Sequence, residues 1–590
     1  MIKDYNLEDL YSTVDCKELG TDLELLQKNI ALLNEHTKSS FINRENLIEK
    51  LEEYIQISEE IVNTYTKITS YCYLRYYANS DDKEVLGVAG QVDQIYAKYL
   101  EAEAVFKKWL KEVKLNSEEL ECSEGLKAYL HYIKSKADEA KRTLGDKEEY
   151  LISSMKSVSS DAWRNLYFEW FSSLQVEVIV KDKVERVPFS VAESMLANGS
   201  KEEKERIFKA ELEALKSIEN ISATCLNNIK QEAIILSKIR GYDSVLEETT
   251  AKSKMDLHTL ELAMSKLQEN LPILQKYYKV KAKAMGYPEG MPFYETTSVK
   301  LDSNKKFTLD EAKDLIVDSV KSFSLPMAQF MEKAFQSGWV DAEARSKKFQ
   351  GNFCMPLLPI KQIRVSSNFT EDISSVLSLA HELGHGYHFY CMREESILNT
   401  EVPMAIIETP SIFSTTVVNN ALMKNANAKL LIELLGFDLD CIIGDILVMY
   451  SRYIFEKQLF EARENKILTA TELNKIMINA QKQAFGDTLD ESYLNQYAWI
   501  TKSQYYNAEN NFYNFPYIFG DLLSKVFYAM YLDKGQEFVN KYERFLVSSG
   551  KGDLCAILRI VDIDINNPSF WDNTYMIIGD MIDRYINLFE

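Results

Sequence analysis

The chain has 590 residues, too many for one compact core, so two large lobes or a core with extensions are expected. Its apolar share of 46% and charged share of 27% are those of a soluble globular protein, and no run of about 18 uncharged apolar residues exists to span a membrane. A net charge of −21 excludes a basic footprint for nucleic acid.

The first residues, MIKDYNLEDLYSTVD, are acidic and lack the charged start and apolar run of a signal peptide. The eight cysteines are far apart, with no CxxC pair, and read as free thiols of a reducing compartment, so a cytoplasmic protein is expected. From Asp22 to Asn34 the residues Leu23, Leu26, Ile30 and Leu33 recur at three- and four-residue spacing, which predicts a helix. The same period fills Arg44 to Thr66, Lys83 to Val113, Lys201 to Lys238 and Leu257 to Ala284. The fold class is therefore mostly α.

Two stretches alternate as strands do. Gln175 to Ser190 has β-branched alternation about Lys181-Asp182-Lys183, a hairpin, with Ser190 placed to cap a following helix. It marks the expected division between an N-terminal helical region, 1–189, and a catalytic region, 190–590. Leu357 to Phe369 alternates as well, immediately before the histidine-rich segment, and predicts a short sheet edge to which an extended peptide could add as a further strand.

The segment HELGHGYHF, 381–389, holds three of the six histidines. Thr370 as cap, with Glu371 and Asp372 in the first turn, starts a helix that is apolar around most of its circumference. On it His381 and His385 lie one turn apart on one face and can converge on one metal ion. Glu382, next round the helix, could reach a water held on that ion. This is the H-E-x-x-H arrangement of zinc peptidases, in which the glutamate is the general base. His388 shares the face, but about 10 Å of helix axis separates it from His381, too far for both to bond one ion. It is expected beside the site or packed as a polar residue. A metzincin would need glycine at 388 and histidine at 391; the chain has His388 and Cys391.

No histidine follows 388, so the third ligand is a carboxylate. Glu394 and Glu395 continue the same helix and cannot fold back. Glu401 precedes Pro403, and Glu408 sits in the apolar run AIIETPSIF, where a charge is costly unless paired or bonded to metal. Glu408 is the expected ligand, with Glu401 next. Either a helix starts near Pro403 and kinks at Pro410, or Thr409 caps a helix with Pro410 in its first position. Two histidines and a glutamate with an open fourth position make a catalytic zinc centre holding one Zn²⁺.

At these residues the sequence resembles the oligoendopeptidase F and thimet oligopeptidase family. HELGHGYH and IIETPS resemble its ligand segments, and KIRGYDS (238–244), GNFC (351–354), FYNFPYIFG (512–520) and SFW (569–571) resemble recurring stretches of the bacterial branch, in the same order. The resemblance covers most of the chain and is clearest from about residue 190. It implies a two-lobed helical fold with a deep substrate channel, zinc at its floor, a small sheet beside the zinc helix, and short unstructured peptides cut at internal bonds. It also implies that residues 1–189 wall the channel and that Tyr513 and Tyr517 donate to the developing oxyanion. Two positions depart from the family: Gln504 stands at or near a usual histidine, and Thr415 where an acidic residue is common. The rival activities are a zinc carboxypeptidase, for which no basic anchor is identified, and a peptide-binding protein without activity.

Overall fold

The computed structural model describes residues 5–113, 115, 117–181, 183–296 and 305–588. Helix dominates, as expected. The periodic segments form helices Lys17–Ser40, Leu47–Ala78, Glu84–Glu112, Lys201–Ile239 and Leu257–Ala284. None of the described helices is long and apolar enough to cross a membrane. The described strands are β1 (Gln175–Val180), β2 (Lys183–Pro188), β3 (Val340–Asp341), β4 (Phe353–Leu357) and β5 (Gln362–Ser366). β1 and β2 form the expected antiparallel hairpin, Gln175 opposite Pro188. Asp182, part of its expected turn, lies outside the described residues. Ser190 is inside the next helix, Phe189–Asn198, which has Pro188 at its N-cap. No side-chain cap is made there, because proline carries no side-chain acceptor.

The chain forms two compact units, each from three separated segments. One comprises Met1–Thr143, Asp302–Asn425 and Phe527–Ile563; the other comprises Leu144–Leu301, Ala426–Val526 and Asp564–Glu590. These units do not follow a single division at 189 and 190.

In the first unit the three N-terminal helices pack on one another through Leu26, Leu33, Leu51 and Ile61, with Tyr54 stacked on Phe106 at 3.7 Å between ring centres. Leu357 of β4 belongs to the same core, and Phe353 and Met355 pack against it, so the sheet is anchored to these helices. The sheet order is β3-β5-β4, β3 parallel and β4 antiparallel to β5. Gln362–Ser366 is thus the centre of the sheet and not its edge. Alternation reports which faces a strand has, and the two-residue β3 that covers β5 is too short to show in sequence. The two edges beside β5 are β3 and β4, and β4 is the longer.

In the second unit, helices Lys201–Ile239, Leu257–Ala284, Ala428–Arg463 and Pro568–Asn587 are the long members. Ser200 starts the first with a reciprocal capping box to Glu203. Lys230 and Glu456, nearly inaccessible, pair across two of these helices at 2.8 Å. Lys230 also donates to Asn511 Oδ1 at 2.7 Å, and Glu456 Oε2 accepts the Phe512 backbone N–H at 2.9 Å. That bond holds Phe512 in a left-handed conformation, φ 53°, immediately before Tyr513.

Candidate metal centre

The ligand helix runs Ile373–Cys391. Its cap is Asp372, which accepts the Ser375 N–H at 2.8 Å, and not Thr370, whose hydroxyl donates to Asp372 instead. Glu371 lies before the cap with φ 65°. The helix ends at Cys391 and does not extend to Glu394 and Glu395, which pair with Lys361 and Lys551.

One turn apart, the rings of His381 and His385 lie 5.0 Å centre to centre and nearly perpendicular. Glu408 is the N-cap of the next helix, Thr409–Lys424, with Pro410 in its first turn. The outcome is close to the second expected geometry, displaced by one residue: Glu408 O accepts the Ile412 N–H at 3.0 Å. Capping through the carbonyl leaves the Glu408 carboxylate free. Ser411 Oγ donates to Glu408 O at 2.7 Å and lies 3.2 Å from Oε2, which steadies the carboxylate.

Glu408 Oε2 lies 3.4 Å from His381 Nε2 and 3.2 Å from His385 Nε2. Ligands bonded at about 2.0–2.1 Å to a tetrahedral ion stand about 3.4 Å apart. The donor set therefore fits a zinc-sized ion in spacing as well as chemistry, and these three residues are the cluster found among the described residues that could hold one. Burial opposes ionisation of Glu408, but hydrogen bonds from the two histidines overcome it and hold the carboxyl well below the usual range. Glu401, the other candidate, is exposed and outside the cluster.

Gly384 sets how closely the two helices approach. A Cβ there would stand 2.8 Å from Pro410 O, 2.8 Å from Ser411 Cα and 2.7 Å from Ser414 Cβ. Sequence reading passed over both Gly384 and Ser411, although each sits inside a quoted motif. Thr415 Oγ1 lies 3.2 Å from Ser411 O and 3.4 Å from Leu377 O, a neutral contact at the seam of the two helices.

Glu382 is 7% exposed. Burial raises its carboxyl to about 7; His381 lowers it and Glu408 raises it further. A carboxylate so placed takes up and releases a proton near neutrality. His388 is a packed polar residue. Its Nε2 is 2.7 Å from Ser549 Oγ, and that hydroxyl donates to Leu546 O, so the Nε2–H donates to Ser549. Burial, aided by His385, lowers the ring to about 3 and keeps it neutral.

Tyr513 and Tyr517 belong to the second unit, where their rings form an edge-on pair 6.2 Å apart, with Tyr513 41% exposed. Gln504 is exposed in the turn Ser503–Tyr506 of the same unit.

A mostly helical chain that brings two histidines of one helix and a glutamate of the next to a common point has the build of a metallopeptidase. Residues 194–577 match peptidase family M3, and the chain belongs to that family. It is 19% identical to an oligoendopeptidase F homolog of Lactococcus lactis, over 99% of this chain and 97% of that one. It is 20% identical to oligopeptidase PepF of Bacillus subtilis, over 96% and 84%. A structure from Chlamydophila abortus is similar with a TM-score of 0.86 at 19% identity, covering 100% of this chain and 98% of that one. The oligoendopeptidase F of Enterococcus faecium is similar at 0.69 and 14% identity, covering 96% and 99%.

Proposed function

We propose that the chain is a zinc-dependent oligoendopeptidase that hydrolyses internal bonds of short unstructured peptides. The observation that carries the reading is the spacing of 3.2 and 3.4 Å between Glu408 Oε2 and the two histidine Nε2 atoms. His381, His385 and Glu408 would hold the ion, which when bound supplies Lewis-acid polarisation of the scissile carbonyl and of water. Glu382 takes the proton from the attacking water and delivers it to the leaving amine, a role suited to a carboxyl near 7. Tyr513 and Tyr517 donate hydrogen bonds to the oxyanion as it forms. Gln504 can donate one hydrogen bond but carries no positive charge. An extended peptide would add along β4, the longer edge strand, its backbone pairing as a further strand. The compartment proposed is the cytoplasm, in keeping with eight free cysteines.

The test combines metal analysis with a quenched-fluorescent peptide. Glu382→Gln is expected to lower kcat by about 10²–10⁴-fold with zinc content unchanged. Glu408→Ala is expected to weaken zinc binding by more than about a hundredfold, beyond what a supporting residue costs. Near-normal turnover by Glu382→Gln would remove Glu382 as base, and full zinc affinity in Glu408→Ala would remove Glu408 as ligand. Release of terminal residues alone from every peptide would make the activity an exopeptidase's, and no cleavage at all would leave a peptide-binding protein.

A further inference from the structure

The second unit contains a cavity of about 170 Å³ far in sequence from the metal ligands. Glu193 of helix Phe189–Asn198, Glu211 of helix Lys201–Ile239, Arg452 of helix Ala428–Arg463, and Lys502 line it. Two acids and two bases in one cavity would ordinarily close into ion pairs, since a buried charge without a partner is costly. Here none of the four forms an ion pair with a described residue. Among the described residues the cationic Arg452 donates to Met449 Sδ at 3.4 Å and lies in the field of Asp445 without pairing with it.

Two further polar atoms are left over. Glu211 is 6% exposed and Tyr505 2% exposed; Glu211 Oε1 and the Tyr505 hydroxyl, both on this cavity, have no hydrogen-bond partner. Like charges neighbour one another, and Glu193 and Lys502 also lie in one another's field. Burial and then the field of Glu193 raise the Glu211 carboxyl to about 8, and burial and then Arg452 lower the Lys502 ammonium. Glu193 is exposed and marks the open side. The cavity thus carries groups of both signs, with Phe208, Val448 and Met477 among its apolar walls. At about 30 Å³ per water it has room for about six waters, enough to admit a small amino acid such as alanine.

We propose that this cavity binds a small zwitterion of the α-amino acid class, its carboxylate on Arg452 and Lys502 and its ammonium on the Glu193 carboxylate and the unpartnered Glu211 Oε1. A simple anion would meet the two glutamates and a simple amine the two cations. A ligand bearing both charges offers a partner to each sign at once. The proposal rests on the second unit alone and stands independently of the metal reading.

The test is calorimetric titration of the full-length, zinc-loaded protein with alanine, N-acetylalanine and alanine amide. Saturable alanine binding is expected, at least about tenfold weaker for the two blocked compounds, each of which lacks one charge. Arg452→Gln and Glu193→Gln should each weaken alanine binding by about tenfold or more, with Lys502→Met as a further variant should either fail to fold. Glu408→Ala should leave it unchanged. Absence of saturable alanine binding up to about 20 mM would mean that the cavity holds water only and overturn the proposal. Binding unaffected by the cavity variants, or abolished by Glu408→Ala, would place it elsewhere and overturn it equally.

Discussion

At Gly384 the lack of a side chain brings Glu408 within reach of both histidines, because the second helix sits where a Cβ would be. Gly384→Ala should force the helices apart, costing about 1–3 kcal/mol of stability. Zinc affinity should fall with it, measurable by competition with a chromophoric chelator; unchanged affinity would show that the seam can give. Glu211 allows a pH test. Its ordinary value is 4.5 and its folded value about 8, so below 4.5 both states are protonated and the group has no effect. Between those values the unfolded chain releases the proton and the folded one keeps it, so stability falls as pH rises. Glu211→Gln removes that loss and should be the more stable protein at about pH 9, by roughly 2–4 kcal/mol, and no different at about pH 4. Denaturant unfolding at the two values checks it. At this scale the ligands were legible because chemistry dictates their spacing: two histidines at i and i+4, then a charge inside an apolar run. Gly384 and Ser411 were not, because their roles exist only once the second helix is in place.

Among the elements, the helices were legible from period alone, since one face of each is buried over many turns. The place of β5 in its sheet was not. Its buried Arg364 reads as an outward-facing charge, yet it donates to Asn6 O at 2.7 Å, a partner 358 residues away that only the folded chain supplies. The Lys230–Glu456 pair was equally invisible, its members being 226 residues apart. Removing one member leaves a buried charge alone, so Lys230→Met or Glu456→Ala should cost about 3–5 kcal/mol. Glu456→Ala also removes the acceptor that holds Phe512 at positive φ, and should lower kcat through Tyr513 while zinc content stays constant. Turnover at the normal rate in folded Glu456→Ala would separate this pair from the chemistry.

For the whole molecule, the division at 189 and 190 followed a change in pattern, whereas packing groups residues 1–143 with the segments that carry the metal ligands. Side chains from β4 share a core with the N-terminal helices, and sequence order does not reveal such a pairing. A fragment of residues 190–590 should therefore not fold cooperatively on its own, exposing Phe353, Met355 and Leu357. Its circular dichroism melt should be broad, and it should bind an apolar dye; a sharp transition with retained zinc binding would contradict this.

Interleaving also sets a timetable for the chain as it leaves the ribosome. All three metal ligands have been made by residue 408, but the first unit waits for Phe527–Ile563, which supplies the Ser549 partner of His388. At about 5–20 residues per second, the stretch from 426 to 563 takes roughly 7–28 s to synthesise. Throughout that interval the ligand helix has apolar sides with no finished core to cover them, and the second unit still lacks its last segment. Folding one unit at a time in step with synthesis, the usual safeguard of large chains, is closed to this one, because each unit is complete only once its third segment has been made.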